Sequence, residues 1–433
     1  MNRNKIDRTS IILNLRVSEA CVLICFNLLA FQMYLQNEVH PAFSAIDEAA
    51  LLLMIASSFF ARKGSINGWI KGAALSLFLL VCMGVFFNQL YRIQTDIQPI
   101  LIDIVACSKF IVAMICLYTC FEAYRPSYAF HFLLNLESKI LVIALVICSI
   151  ISLKIDIGMS DVEVRYGFRA FKFIFDHPEI VNLLIIGLMA VLCGDFRNNK
   201  IWIALSIIPL ILTMRTKSIG FAVYVVCIVL LYRNKRYFKI APIVFVAVLV
   251  AVVAWDQILN YYQNDTQARS RLMIGGIELA NSHFPFGTGF ATYGSAITAE
   301  PQYYSSLYYE LGLSNVYGLS PSYSVFISDT FWPILFGQFG WAGTILYLTS
   351  LIAILMSTLS RAQASLLLGN PGPLFAFMFV IGYLCISSLA SSAFFAPMSI
   401  FMCCSLNYAL KYGNNIIKER NIERSCCQND SKQ

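Results

Sequence analysis

The sequence predicts an all-α polytopic membrane protein with about twelve transmembrane helices. The chain has 433 residues, of which 58% are hydrophobic and only 13% are charged, whereas soluble domains carry roughly 25% charged residues. A soluble protein of this composition would expose large apolar patches and aggregate. Apolar runs of about 20 residues, the length that crosses a bilayer, recur from end to end. Residues 1–433 are therefore expected to form a single integral membrane domain.

The first apolar run follows a basic N-terminus and has no small-residue cleavage site, so we expect a retained span and not a removable signal peptide. Residues 201–214 and 218–232 are short runs that share a polar break at Arg215-Thr216-Lys217. They are either two spans that meet at one surface or one long broken helix. The predicted spans are 17–36, 43–61, 69–90, 100–123, 139–153, 178–194, 201–214, 218–232, 240–256, 326–356, 372–391 and 395–411.

The distribution of Lys and Arg predicts the orientation. With the N-terminus inside, most basic residues of the short loops collect on the cytoplasmic side, as the positive-inside rule requires. We therefore expect a multi-pass protein of the bacterial inner membrane, with both termini and the polar tail 412–433 in the cytoplasm. The net charge of +7 then follows from topology, so the expected partner is the lipid bilayer and not a nucleic acid.

Two loops on the outer side are long, at 154–177 and 257–325. The second has roughly seventy residues without a convincing span, and loops of that length in a compact fold are usually functional. It lies between predicted helices 9 and 10, is rich in Tyr, Ser and Gly, and is poor in charge.

Basic residues on the outer side are exceptions to the charge rule and are therefore informative. Arginines from three distant parts of the chain reach this one surface, and a shared anionic ligand would explain them, because the planar guanidinium binds phosphate oxygens in pairs. The alternatives are snorkelling to lipid headgroups and pairing with Asp161, Glu163, Asp265 or Glu278. The residues are Arg165 and Arg169, Arg215, and Arg269 and Arg271.

The long loop adds a turn pattern and a carboxylate. An apolar-patterned helix after Arg271 leads to Pro285, Gly287 and Gly289. This pattern either lets backbone N–H groups approach a ligand closely or is a plain exit from a helix. Asp329 precedes the next apolar run, where it would cap a helix or act as a general base.

The order of these residues resembles the bacterial O-antigen polymerase and ligase superfamily. The similarity covers roughly residues 160 to 350 and the topology with its large late loop. It rests on Arg165–Arg169 with Asp176-His177-Pro178, Leu212–Thr216 with Arg215, Arg271, Pro285–Gly289, Asp329, and the spaced Gly337, Gly340 and Gly343.

This resemblance implies a GT-C-like polyprenyl-phosphate glycosyltransferase architecture, with short helices in the large periplasmic loop. Such enzymes are inverting, use neither metal nor cofactor, and act on oligosaccharides linked to undecaprenyl diphosphate. Ligases of the superfamily tend to have His followed by Asn where this chain has Asp329 and Thr330, so a polymerase is the preferred expectation. A chain-length regulator and a flippase are the further partners that the resemblance implies.

Roles for individual residues follow from the resemblance. Asp329 would activate the acceptor hydroxyl, with His283 or His177 as rival bases. The Tyr-rich stretch from Tyr303 to Tyr323 would stack on sugar faces or form an interfacial aromatic belt. The site is expected to have Asp329, Arg215 and Arg271 as catalytic residues, Arg165, Arg169, Arg215, Arg269 and Arg271 on the diphosphate, and His283, Pro285, Gly287 and Gly289 at the acceptor loop.

Other functions remain open from the sequence. A ligase that transfers the glycan to lipid A core would share most of these residues. A flippase or other transporter would need charged residues lining a cavity inside the bundle, and a scaffold of a glycan-assembly complex would need no chemistry.

Overall fold

The computed structural model describes residues 16–60, 67–123, 126–232 and 267–413. The chain is mostly helical (75%), which confirms the helical class. Within these four ranges, six helices are long and apolar enough to cross a membrane, and three apolar helices are shorter. The predicted span 240–256, the start of the predicted loop 257–325, Asp265 and nearly all of the tail 412–433 lie outside the described residues, so twelve spans stay a prediction. The six are Val17–Val39, Pro41–Phe60, Gly68–Tyr91, Ile97–Cys120, Tyr128–Ser152 and Phe331–Leu367.

The elements follow one another with short connections until the long loop. Helix α1 continues into a π-helical turn (Leu35–Val39), and a 3-10 turn (Pro41–Ala45) precedes α2. Three more 3-10 turns, Ala296–Ala299, Pro301–Tyr303 and Leu313–Asn315, lie in the long loop. The elements are α1 (Val17–Tyr34), α2 (Ile46–Phe60), α3 (Gly68–Tyr91), α4 (Ile97–Ala123), α5 (Tyr128–Ser152), β1 (Ser160–Arg165), β2 (Phe168–Phe171), α6 (Pro178–Cys193), α7 (Phe196–Leu212), α8 (Thr216–Tyr232), α9 (Ala268–Ser282), α10 (Ser306–Glu310), α11 (Phe331–Leu367), α12 (Gly372–Ser387) and α13 (398–413).

Helix α6 lies at the centre of the bundle, because every residue from Val181 to Cys193 is buried. A helix that is apolar on all sides can only be satisfied by full burial. The outer helices show the opposite pattern: Phe60 is 89% exposed, Phe78 63% and Ile140 56%. Large apolar side chains pointing away from the core suit a surrounding of lipid and not of water.

Helix α5 begins eleven residues before the predicted start at 139, so that boundary was wrong. The Ser127 hydroxyl accepts the Phe130 N–H at 3.2 Å and caps the helix. Within the added turns, the side chain of His131 is buried and lies 3.2 Å from the hydroxyl of Tyr408. This contact packs the start of α5 against a helix that is 277 residues away in the chain.

The predicted loop 154–177 contains a two-stranded hairpin, which is an exception to the predicted all-α class. Tyr166 and Gly167 both have positive φ, 52° and 82°, as the type I′ turn of a two-residue hairpin requires. Arg165 pairs with Phe168, and Val164 pairs with Arg169. Because side chains alternate along a strand, Arg165 and Arg169 point to opposite faces of the hairpin.

Helix α11 begins later than predicted, ends later, and is broken at Gly340, where φ is 59° and ψ is −162°. A Cβ at Gly340 would lie 2.4 Å from the Gly287 nitrogen, and a Cβ at Gly287 would lie 2.3 Å from the Gly340 nitrogen. The two backbones therefore touch. The Ala342 N–H, released by the break, donates to the Pro285 carbonyl at 2.9 Å. We call residues 285–291, which pack here on α11, the glycine corner.

We expect Gly340→Ala to destabilise the protein strongly. With φ of 59° and ψ of −162°, Gly340 lies in a backbone region that is essentially restricted to glycine and costs another residue about 1–3 kcal/mol, and the clash with the Gly287 backbone adds to that cost. The matched control is Gly312→Ala, since Gly312 also has positive φ (66°) but nothing lies within 4 Å of its Cβ position. Melting temperatures in detergent measure both. Equal losses in the two variants would contradict the contact between the backbones.

Candidate functional site

Three segments that are distant in the sequence meet at one end of the bundle, which we call the hairpin side. The hydroxyls of Tyr166 and Thr216 are 3.1 Å apart and join the hairpin turn to the start of α8. The Lys217 ammonium lies 2.7 Å from the Glu179 carboxylate on α6. Arg269, at the start of α9, lies within electrostatic range of Lys217. The hairpin, the corner between α7 and α8, and the start of α9 therefore share one surface.

Four basic side chains of these segments form what we call the cation cluster: Arg165, Arg215, Lys217 and Arg269. Each faces a carboxylate, and two of these acids, Asp161 and Glu163, are the pairing alternatives that the sequence suggested. The cluster is thus largely charge-compensated without a ligand. The pairs are Arg165–Glu163 at 2.7 Å, Arg215–Asp161 at 3.9 Å, Lys217–Glu179 at 2.7 Å and Arg269–Asp329 at 2.5 Å.

Arg215 is the least compensated member of the cation cluster. It follows Met214, a bulky residue with positive φ (51°), which is uncommon and often marks a functional position. Its Nε is buried and has no hydrogen-bond partner among the described residues, and Asp161 at 3.9 Å is beyond hydrogen-bond distance. Burial lowers the pKa of Arg215, and the nearby charge of Arg165 lowers it further. An anion would relieve both effects.

His177 lies between two donors. Its Nδ1 is 3.2 Å from the Glu179 N–H at the start of α6, and its Nε2 is 2.9 Å from the Arg215 guanidinium. A neutral imidazole has only one acceptor nitrogen, so it cannot accept both hydrogen bonds. Burial lowers the pKa of His177, and the charge of Arg215 lowers it further. When the Nδ1 of a neutral His177 caps α6, its Nε2 carries the proton, and the facing nitrogen of Arg215 has no acceptor there.

Lys217 belongs to a hydrogen-bonded network that the sequence reasoning missed. Its ammonium donates to the Ser387 hydroxyl at 2.9 Å, and Ser387 donates to Glu179 at 2.5 Å. The Tyr383 hydroxyl donates to the second oxygen of Glu179 at 3.0 Å. This network ties α6, α8 and α12 together beside Arg215. The only sequence signal was the position of Lys217, two residues after Arg215 at the start of an apolar run.

Asp329 is not the cap of α11, because the N-cap residue is Thr330. Its Oδ2 instead accepts two hydrogen bonds from Arg269, from Nε at 3.0 Å and from a terminal nitrogen at 2.5 Å. The capping prediction was therefore wrong, and the role as a general base stays a prediction. The pair connects the start of α9 to the start of α11.

Two predicted diphosphate ligands lie apart from the cation cluster. Arg169 pairs with Asp156 at 2.6 Å, and both side chains are more than half exposed. Arg271 is exposed and forms no ion pair with another described residue. Residues two positions apart in a helix are rotated by about 200° around its axis. Arg271 therefore points away from the side of α9 that carries Arg269.

The glycine corner uses its backbone N–H groups inside the protein. Gly289 donates to the Gln338 carbonyl at 2.8 Å, Phe290 to the Asn88 side chain at 2.8 Å, and Ala291 to the Asp103 carboxylate at 2.6 Å. The expectation that these groups face a ligand was therefore wrong. Sequence reasoning missed Asn88 and Asp103, which lie on α3 and α4.

Pro285, Gly287 and Gly289 therefore serve to pack the loop on the helical bundle. A Cβ at Gly289 would lie 2.7 Å from the Asn88 side-chain oxygen. His283 ends α9 and packs its ring on Tyr91 at 4.7 Å. Helix α9 places His283 about 20 Å from Arg269 along its axis, so His283 is not a base for chemistry at the cation cluster.

Among the described residues, no group of three or more His, Cys, Asp or Glu side chains could hold a metal ion. Comparison with known proteins gives no family: no protein-family model matches the chain, and no curated protein is significantly similar to it.

We expect acidification to destabilise the protein through His177. Because the pKa of His177 is lower in the folded protein than in the unfolded chain, the unfolded chain binds more protons between the two values. Stability therefore falls as the pH drops below about 6.5, the ordinary pKa of His. The melting temperature of the wild type should fall more between about pH 7.5 and pH 5.5 than that of His177→Gln.

His40 provides the matched control, because its Nδ1 accepts the Ala42 N–H at 3.1 Å in the same capping arrangement. His40→Gln therefore measures the effect on stability of losing a capping imidazole that faces no guanidinium among the described residues. If His177→Gln retained the pH dependence of the wild type, the position of His177 between two donors would be wrong.

Proposed function

We propose that the chain is a membrane-embedded glycosyltransferase. It would join undecaprenyl-diphosphate-linked oligosaccharide repeat units into O-antigen or a related surface polysaccharide. The observation that carries this proposal is the cation cluster, centred on Arg215, at one end of a bundle of apolar helices. A polyprenyl diphosphate presents its charge at that level of a membrane while its lipid stays among the helices. The resemblance to O-antigen polymerases supports the same substrate class.

A diphosphate fits the cluster electrostatically. Arg165 and Arg215 lie within range of each other's charge, and both have a buried Nε without a partner among the described residues. Like charges disfavour each other until an opposite charge lies between them. A diphosphate between the two guanidinium groups would remove the repulsion and accept the unused donors.

The proposed reaction breaks the bond between the anomeric carbon and the diphosphate oxygen, and that oxygen keeps the electron pair. The acceptor hydroxyl forms the new bond from the opposite face, which inverts the anomeric carbon, and its proton passes to a base. Arginines at the diphosphate stabilise the charge that builds on the leaving group, which favours the transition state over the ground state. Asp329 is the proposed base, and His177, in contact with Arg215, is its rival.

The proposal includes the membrane orientation. The hairpin side would face the periplasm, with both termini in the cytoplasm of a bacterial inner-membrane protein of about twelve spans and GT-C-like architecture. A flippase would deliver the lipid-linked unit to this face, and a chain-length regulator would act with the polymerase.

A transporter is the less favoured candidate. Its function needs charged residues that line a path through the bundle, and here the cations collect at one end. Lys109 and Asp47 do pair inside the bundle at 2.8 Å, but only 5% and 1% of their side chains are exposed. That pair is packed among helices and lines no open path.

Purified protein in detergent with a lipid-linked repeat unit separates the candidate functions. Elongation of the unit alone identifies a polymerase, and transfer only after addition of lipid A core identifies a ligase. If neither product forms, the enzymatic proposal is wrong and transport or scaffolding remains.

We expect Arg215→Lys to reduce the elongation rate by about a hundredfold, since losing one preformed donor to a developing anion has an effect of that size and Lys lacks the planar fork. Arg269→Lys should also reduce elongation, because it loosens Asp329. The matched control is Arg169→Lys, because Arg169 is a surface arginine of the hairpin that lies outside the cation cluster. This variant should elongate the glycan at the rate of the wild type. Membrane levels of each variant, measured by immunoblot, exclude loss of folding. Equal elongation rates for Arg215→Lys and Arg169→Lys would show that the cation cluster does not bind the substrate.

The variant Arg271→Lys separates two predictions for Arg271, one from the resemblance to the polymerase superfamily and one from its position in the structure. The resemblance assigns Arg271 to catalysis, whereas its position away from the cation cluster predicts elongation close to that of the wild type. A large loss in folded Arg271→Lys protein would show that the substrate lies on the other side of α9.

A further inference from the structure

Two tyrosine rings stand exposed on the long loop of the hairpin side. Tyr317 is 75% exposed and Tyr323 is 43% exposed, and their ring centroids are 5.2 Å apart with the planes tilted by 39°. We call these two rings the aromatic platform. Most of Tyr317 and a substantial part of Tyr323 are therefore open to the surroundings of the loop.

The aromatic platform is held by a closed and tightly packed turn. The Phe326 N–H donates to the Gly318 carbonyl at 2.9 Å, and the Tyr323 N–H donates to the Ser320 carbonyl at 3.0 Å. Gly318 has φ of 83°, and a Cβ there would lie 2.0 Å from the Phe326 ring. Phe326 in turn packs on Tyr317, with centroids 6.2 Å apart. The exposed rings are therefore preorganised, which lowers the entropy cost of binding.

The segment of chain that carries the platform is polar but uncharged. Residues 311–328 contain five serines and one asparagine, and no Asp, Glu, Lys, Arg or His. A ligand recognised here would carry hydroxyl groups and apolar faces and not a strong charge. Sugar rings combine these features, since one face of a pyranose presents C–H groups and its edge presents hydroxyls.

A short series of contacts links the platform to the cation cluster through Phe326 and Asp329. The Asp329 N–H donates to the Phe326 carbonyl at 3.3 Å, a turn that keeps the two Cα atoms within about 7 Å. Asp329 is the partner of Arg269. A glycan whose diphosphate lies at the cation cluster could therefore extend over the two rings.

We propose that Tyr317 and Tyr323 form a carbohydrate-stacking subsite for a neutral sugar of the lipid-linked oligosaccharide. This inference rests on the proposed function for the identity of the substrate. The subsite binds by ring contact and takes no part in bond breaking. Tyrosine suits such a surface because it offers a large rigid face at low conformational cost.

The test measures binding without turnover. The probe is the reducing oligosaccharide released by mild acid from the lipid-linked glycan of a strain that lacks this chain, and it is titrated calorimetrically into the full-length protein in detergent. We expect Tyr317→Ala and Tyr323→Ala each to weaken binding roughly tenfold, as for truncation of an aromatic hot spot, and Tyr317→Phe to bind normally. The control is Tyr309→Ala, an exposed tyrosine (59%) of the same loop that packs on Tyr304 instead.

The outcomes separate this proposal from the proposed function. Oligosaccharide binding that needs both rings, without elongation activity, would support the subsite and contradict the polymerase. Elongation with unchanged binding in both alanine variants would overturn the subsite alone, and so would absence of binding to the wild type. Quenching of Tyr317→Trp fluorescence by brominated phospholipids, with no response to the oligosaccharide, would place the rings in the bilayer interface and also overturn it.

Discussion

The contact between the backbones of Gly287 and Gly340 fixes the long loop on the helical bundle. Because neither residue has a side chain, the glycine corner packs directly on the broken turn of α11. Backbone N–H groups of each segment donate to carbonyl groups of the other. Asn88 and Asp103 hold the opposite side of the corner through its next N–H groups. The loop can therefore have one fixed position, because buried backbone groups must be paired.

Helix α9 connects the glycine corner to the hairpin side. One end of the helix is the glycine corner, and the other end presents Arg269 to Asp329. The segment that resembles a single functional motif in sequence is thus divided between two places about 20 Å apart. The corner positions the loop, and the far end of α9 contributes to the candidate site and is linked through Asp329 to the aromatic platform.

Charge burial constrains the candidate site. Three of the four cations have a close carboxylate partner, whereas Arg215 has only a distant one and an imidazole that cannot accept every hydrogen bond offered to it. Desolvated charges without partners are costly, and the nearby charges of Glu163, Glu179 and Asp161 offset part of that cost at Arg215. Such an arrangement is stable without a ligand and still has donors for an anion.

The sequence by itself determined the apolar helical class that suits a membrane and the approximate places of most helices, and it predicted one surface for Arg165, Arg169, Arg215, Arg269 and Arg271 without separating them. These features depend on local apolar runs and on the fact that successive spans end on opposite sides of the membrane. Only the tertiary structure decided that Arg165 and Arg269 join the cluster while Arg169 and Arg271 do not. Neighbouring residues of a strand or helix point in different directions, and which direction faces the site is set by strand register and by rotation of the helix. Both depend on contacts between residues far apart in the chain, which local sequence patterns do not contain.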